Sequence, residues 1–270
     1  MECVAHHENT IDLETRKLIS SRYRRITKAA NREFWGSQSE TDHSLYVGSY
    51  GRGTAIDTSD LDVLISLPRD EYERYDCYRG NGQSRLIQAM KESIQGTYPS
   101  TDVRGDGQVV VIKFSDGMRF EILPAFKQIG WDGTESFVYP DSHMGGNWKT
   151  TNPKSEQAAM KDKNSSSNGL LYDTCKHIRC IHSEGFSSYK LSGIVIDSFI
   201  YSAIGGWQWS DGSSEPVAAG EYEQMLLSEF NRQFANGRIS FQLDAPGSRQ
   251  AVDTSSSLSC LGKVLAFMAE

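Results

Sequence analysis

"VGSYGRGTAIDTSDLDVLISLP", residues 47–68, decides how the rest of the chain is read. Glycines at 48, 51 and 53 bend a short segment tightly, and two aspartates then stand either side of Leu61 at the head of an apolar strand. The glycines match neither of two common nucleotide fingerprints. Thr54 follows Gly53 without the lysine of a P-loop, and the GxGxxG spacing is absent. What remains is Gly48-Ser49 at a strand end, where a flexible backbone approaches a ligand closely. Backbone N–H groups and the Ser49 hydroxyl there are able to hold phosphate oxygens.

Residues i and i+2 of a strand project from one face. Asp60 and Asp62 therefore aim two carboxylates at one point while Leu61 and Val63 face the core. Carboxylates that close repel each other unless a cation sits between them, and hard oxygen donors suit Mg²⁺ or Mn²⁺. Glu121 supplies a third acid. In "RFEILP" it lies between Phe120 and Ile122, and an ionisable group on a buried strand needs a partner. Asp116, in "SDG", is accounted for as a turn residue.

Outward from this core, residues 10–34 place Leu13, Leu18, Ile19, Tyr23, Ile26 and Ala30 at helical spacing, with Thr10 or Asp12 as cap. The strands "SLYVGS" and "LDVLISLP" precede a helix over 83–95. Three β-rich runs follow: "TDVRG", "QVVVIKF" and "RFEILPAF", the last two forming an antiparallel hairpin across "SDG". The stretch "WDGTESFVYPDSHMGGNWKTTNP" is expected to run irregularly away from the sheet. Beyond it the spacing predicts helices over 154–164, 169–183, 187–204, 220–235 and 256–269, with "KDKNSSSNG" a loop. The expected class is α+β: a mixed β-sheet lobe over residues 1–150, including the helix at 10–34, then a mostly helical lobe over 151–270. A cleft between two such lobes is a natural ligand site.

Composition narrows the alternatives. A length of 270 residues allows two lobes with a real core. With 38% hydrophobic and 23% charged residues the chain is an ordinary soluble one, and its net charge of −7 lacks the broad basic footprint of duplex binders. No apolar run reaches the ~18 residues of a membrane span, and the first residues lack the basic and apolar regions of a secretory signal. Five scattered cysteines without CxxC suit free thiols in a reducing cytoplasm.

A glycine-serine turn, a spacer, Asp-x-Asp on a strand and a lone acid on a later strand together resemble the nucleotidyltransferase superfamily related to DNA polymerase β. The second half narrows the likeness. "FVYPDSHMGGNWKTTNPKSEQ", the helix "NGLLYDTCKHIRCIH" and "FSSYKLSGIVIDSF" resemble the helical lobe of cyclic GMP-AMP synthase-like and oligoadenylate synthase-like enzymes. The bacterial branch is the CD-NTases, synthases of cyclic di- and trinucleotide signals in antiphage (CBASS) defence. The likeness spans about residues 40 to 260, carried mostly by "GSYGRGTAIDTSDLD", "EILPAF" and Trp148-x₃-Asn152-Pro153.

This resemblance implies a polymerase β-like fold and a Mg²⁺-dependent enzyme that condenses nucleoside triphosphates, ATP and GTP among them, into a cyclic second messenger with release of pyrophosphate. It implies that Gly48 and Ser49 meet the donor triphosphate, and that Asp60, Asp62 and Glu121 hold two metal ions. Glu121 would also help deprotonate the attacking ribose hydroxyl. Ser188 would reach a phosphate, Tyr189 would stack on a base, and Lys176 or Arg179 would meet the triphosphate. Where relatives often carry a lysine and a tryptophan near the end of that helix, this chain has Arg179, Cys180, Ile181 and His182. A cytoplasmic protein is implied, without a membrane partner. A regulatory partner protein and a downstream effector that reads the product are further expectations; activation by duplex DNA is not one, because no basic zinc-binding insertion is present. Two other readings share the motif: a linear transferase acting on oligonucleotide, RNA or protein ends, and a catalytically silent nucleotide-binding scaffold.

Other clusters have plainer explanations. Cys175, His177, Cys180 and His182 share one helix at offsets 0, 2, 5 and 7, unlike the two separated ligand pairs of structural zinc sites. His6-His7 is expected in a loosely held terminus. Trp207 and Trp209 are expected to anchor a partly buried loop, and "DEYER" (70–74) and "SRYRR" (21–25) to be solvated faces.

Overall fold

The computed structural model of the chain describes residues 2–8, 10–57, 60–210, 218–235 and 242–270. Its contacts divide the chain into two compact units. One comprises Ile11–Gly51 and Ser59–Pro153, the other Met1–Thr10, Arg52–Thr58 and Lys154–Glu270.

The first unit is built on a mixed sheet. Strand β1 (Ser44–Tyr46) pairs antiparallel with β2 (Leu61–Leu67), which runs parallel to β5 (Arg119–Ile129). Next come β4 (Val109–Lys113) and β3 (Asp102–Asp106), so the order is β1-β2-β5-β4-β3. The hairpin across "SDG" is present, with Lys113 opposite Arg119. Strand β2 reads as a near-continuous apolar run because its neighbours and two helices bury it: Val63, Leu64 and Ile65 are all but inaccessible. Those helices are α1 (Leu13–Phe34) and α4 (Gly82–Gln95), which pack on each other and on the sheet. Asp12 caps α1 by accepting from the Thr15 amide. The buried stripe of α1 starts at Ile19, leaving Leu13 and Leu18 exposed.

Three parts of this unit depart from the sequence expectation. The stretch after residue 131 does not leave the sheet. Strand β6 (Glu135–Asp141) pairs antiparallel with the end of β5, and β7 (Asn147–Thr151) pairs with β6. Strand β6 tolerates Pro140 because β5 pairs only with residues 135–138, so the missing N–H costs no bond on that side. The "DEYER" run lies on a short helix, α3 (Arg69–Asp76), and is a solvated face only in part: Asp70, Glu73 and Arg74 are exposed as expected, whereas Tyr72 packs on Phe126 and Trp148. The basic residues of "SRYRR" are not all solvated either. Arg22 makes a bidentate pair with Asp116 and lies over the Phe114 ring, and Arg25 lies over Tyr98. Asp116 thus does more than turn the hairpin.

The second unit is helical: α5 (Pro153–Ser166), α6 (Leu170–Gly185), α7 (Gly193–Ala203), α8 (Glu221–Phe230) and α9 (Leu258–Ala269). Helix α5 starts on a proline, whose absent N–H is an orphan at that position in any helix. Leu171, Cys175, Ile178, Phe199, Ile200, Leu226, Leu261, Val264 and Met268 form the core, and Val4 from the N-terminal segment is buried among them. Helix α7 begins at 193 rather than 187, so Ser188 and Tyr189 lie in the turn before it. The last residues expected to be helical after α8, 231–235, form a π-helical turn.

A contiguous division near residue 150 therefore misses two insertions. Residues 2–8 count with the helical unit through Val4, and residues 52–57 through Arg52 and Thr54, which hydrogen-bond to Asp197 on α7.

Candidate functional site

The acids gather at the N-terminal edge of the parallel pair. The register sets Asp62 beside Glu121, with the buried pairs Leu61/Phe120 and Val63/Ile122 on either side facing the core. Asp60 stands just before β2 and is exposed. The turn helix α2 (Gly48–Arg52) sits against this edge: Val47 N–H donates to the Asp62 carbonyl, and Gly51 N–H to the Val47 carbonyl. Gly48 has φ +58°, and a Cβ there would come within 1.8 Å of Asp62 Oδ2. Only glycine lets the turn backbone lie against that carboxylate. Ser49 is the next residue, half-buried in the same turn.

Arg119 is a member of this group that the sequence reading passed over. One of its guanidinium nitrogens donates to Asp60 Oδ2 at 2.9 Å, and another pairs with Glu121 Oε1. It lies two residues before Glu121 on β5, so strand alternation already put it on the same face. Burial pushes the Glu121 carboxyl up; Arg119 opposes this, and the nearby Asp60 and Asp106 add to it. Three hard-oxygen donors in this register fit a divalent cation by chemistry. As they stand, however, no three His, Cys, Asp or Glu side chains among the described residues close into a metal-holding group. Arg119 spans two of the three acids.

The other expected site residues belong to the helical unit and sit in contrasting settings. Arg179 is buried, with its guanidinium committed to Asp197 at 2.8 Å and to the carbonyls of Cys175 and Gly193. Those donors are spent inside the fold, so Arg179 is not placed to meet a triphosphate. Asp197 also accepts from Arg52 and Thr54, and Arg52 reaches Glu156. Burial alone would raise the Asp197 carboxyl, but Arg179 and Arg52 outweigh it and hold it low. Glu156 is net raised, by burial. A lone aspartate inside the apolar run "GIVIDSFIYSA" was the sequence signal for this cluster.

Lys176 is half-buried on α6 and donates to the His7 carbonyl. His6 and His7 are consequently not loosely held. His6 pairs with Asp173, and His7 N–H donates to the same carboxylate. His177 donates from Nε2 to the Glu2 carbonyl, which leaves its Nδ1 to accept from His7 Nε2 at 2.9 Å. Trp209 donates to Asp173 and packs on the His6 ring, so it anchors its loop as expected; Asp211 and Gly212 of "GGWQWSDG" lie outside the described residues. Ser188 and Tyr189 are exposed. The Lys263 ammonium lies 3.7 Å from the centre of the Tyr189 ring, and His182 donates to the Tyr189 carbonyl.

A family model described as the Second Messenger Oligonucleotide or Dinucleotide Synthetase domain matches residues 6–164. No curated protein matches by sequence. Among solved structures the chain is similar to the CdnE cyclic dinucleotide synthase of Elizabethkingia meningoseptica, determined with GTP and Apcpp. That match has 15% identity and a TM-score of 0.62, covering 95% of this chain and 90% of the other. The STING-associated CdnE c-di-GMP synthase of Capnocytophaga granulosa follows, at 13% identity and a TM-score of 0.60, covering 94% and 81%. The cyclic AMP-GMP synthase DncV of Vibrio cholerae matches at 14% identity and a TM-score of 0.55, covering 99% and 86%. Among the described residues no helix is long and apolar enough to cross a membrane.

Proposed function

Because the chain belongs to the second messenger oligonucleotide or dinucleotide synthetase family, the CD-NTases, and is a nucleotidyltransferase of polymerase β-like fold, we propose that it condenses nucleoside triphosphates into a cyclic di- or trinucleotide, with release of pyrophosphate, as an antiphage signal. The observation that carries this is the register of Asp62 beside Glu121, with Asp60 leading the same strand and the glycine turn lying against Asp62.

Asp60, Asp62 and Glu121 are the residues that would hold divalent metal, Mg²⁺ or Mn²⁺. When bound, such ions would supply Lewis-acid stabilisation of the charge that develops in the displacement. The chain's own residues do the rest. Gly48 keeps the turn backbone close to Asp62, so that the Ser49 hydroxyl and neighbouring amides meet the donor triphosphate. The attacking ribose oxygen forms its bond to the α-phosphorus as the bond to pyrophosphate breaks. Its proton passes to Glu121, whose carboxyl burial has pushed toward a better base. Within the helical unit, Lys176, Ser188 and Tyr189 are the residues we assign to nucleotide contact, with a base taking the place of Lys263 over the Tyr189 ring.

The test is to incubate the protein with α-labelled NTPs and Mg²⁺ or Mn²⁺, then treat with phosphatase. A resistant product is expected. A phosphatase-sensitive ladder would instead establish a linear transferase. No turnover of any NTP, with Asp60→Ala and Asp62→Ala indistinguishable from the parent, would leave only the silent scaffold.

A further inference from the structure

We propose that Arg119 is a resident counter-cation of the acid site: it clamps Asp60 to Glu121 until a divalent ion displaces it, so that metal loading is an exchange of guanidinium for metal. This rests on Asp60, Asp62 and Glu121 being the metal ligands.

Four observations bear on it. First, one guanidinium spans two acids from different strands, donating to Asp60 Oδ2 and pairing with Glu121 Oε1. Charge-assisted bonds of this kind are the strong ones, and they neutralise the repulsion that converging carboxylates would otherwise suffer. Second, with Arg119 in place the acids do not gather as a metal-holding group, since no three acidic, histidine or cysteine side chains among the described residues do so. Third, Arg119 is not seated as a structural arginine is. Its Nε is buried without a hydrogen-bond partner, whereas Arg179 spends its nitrogens on a carboxylate and two carbonyls. An unmet buried donor costs free energy, so the clamped position is held by the two acids and little else. Fourth, the cation Lys113 stands directly opposite Arg119 in the β4–β5 register, and like charges at opposed positions disfavour each other. The side chain is about one-third exposed, 32%, which leaves it a way out to solvent.

The acids attract a divalent ion more strongly than a monovalent guanidinium. The clamp therefore sets a threshold rather than a block. It neutralises the converging carboxylates and screens them from stray cations, and it yields when metal arrives.

Binding of Mn²⁺ without nucleotide, read from the electron paramagnetic resonance signal of free Mn²⁺, tests this on the full chain. Arg119→Gln is expected to bind about tenfold more tightly than the parent, the equivalent of losing one charge-assisted hydrogen-bonded clamp. Arg119→Lys keeps the charge but reaches only one acid, and is also expected to bind several-fold more tightly. Arg104→Gln removes a neighbouring exposed cation paired with Asp102 and is expected to change affinity less than twofold. Arg119→Lys binding like the parent would mean that charge alone matters and would overturn the clamp. Unchanged or weaker binding in Arg119→Gln would overturn it too, making Arg119 a residue that orders the acids for metal. If neither the parent nor any Arg119 variant binds Mn²⁺ at millimolar concentration, the metal assignment itself fails, and the clamp with it.

Discussion

Two arginine–carboxylate clusters stand in this chain, one in each unit. At the sheet edge, Arg119 spans Asp60 and Glu121, with Asp62 alongside, and the side chains remain between a quarter and a half exposed. In the helical unit, Arg52 and Arg179 enclose Asp197 and Arg52 also reaches Glu156, all of them buried. The residue types are the same and the roles are not. The buried cluster satisfies its charges internally: Asp197 takes both guanidiniums and the Thr54 hydroxyl, and Arg179 takes two carbonyls as well. The open cluster gathers three acids around one arginine and stays partly exposed, so another cation can reach it from solvent. Burial, not composition, separates a fastening from a site.

This comparison can be broken in four places. The largest effect belongs to the open cluster: Asp62→Asn or Glu121→Gln should lower product formation roughly a thousandfold, the several kcal/mol that metal-held charge contributes to the transition state. The same variants should shift the urea unfolding free energy by no more than about 1 kcal/mol, because both side chains are half-buried rather than enclosed in the core. If stability collapses instead, the acids are structural. The buried cluster should respond the other way. Asp197→Ala strands two guanidiniums and should cost about 3–5 kcal/mol in urea unfolding. A variant as stable as the parent would show the cluster to be dispensable.

Gly48→Ala tests the contact between turn and acid. A methyl group 1.8 Å from Asp62 Oδ2, at φ +58°, forces either the backbone or the carboxylate to move. Strain of about 1–3 kcal/mol should follow, and with it a roughly tenfold to hundredfold loss of turnover. Unaltered turnover would mean that the turn does not need its place against Asp62. The smallest effect concerns the N-terminal segment. Burial lowers the His7 pKa, the proximity of His177 lowers it further, and Asp173 partly opposes both. A histidine titrating lower when docked contributes stability that is fully present above its free value of 6.5 and is lost as pH falls below it. The protection of amides at residues 2–8, corrected for their intrinsic exchange rates, should therefore fall between pH 7.5 and 5.5, and less so in His7→Asn. Exchange that does not vary with pH beyond its intrinsic dependence would remove the histidine pair from the account.

Much of this was legible in the sequence, for physical reasons that can be named. Asp60, Asp62 and Glu121 stood out because period-2 alternation puts acids on one face of otherwise apolar strands. The helices α1, α4 and α6 were legible from their apolar spacing. What stayed hidden depended on three-dimensional pairing. Arg119 reads in sequence as an ordinary strand-end cation, and only the β2–β5 register brings Asp60 within its reach. Lys176 and Arg179 are three residues apart on one helix, and nothing local tells that one is consumed by Asp197 while the other touches the N-terminal segment. Strands β6 and β7 fall in the stretch expected to run irregularly; their pairing onto the end of β5 is a tertiary match that the local sequence does not display.

The most direct measurement is a crystal structure with Mn²⁺ and a non-hydrolysable NTP, with the metal located by its anomalous signal. The account requires anomalous peaks held by Asp60, Asp62 and Glu121 against the triphosphate, with the Arg119 guanidinium withdrawn from at least one of its two acids. A triphosphate bound elsewhere, or bound at the glycine turn with Arg119 still spanning Asp60 and Glu121 and no metal between them, would contradict it.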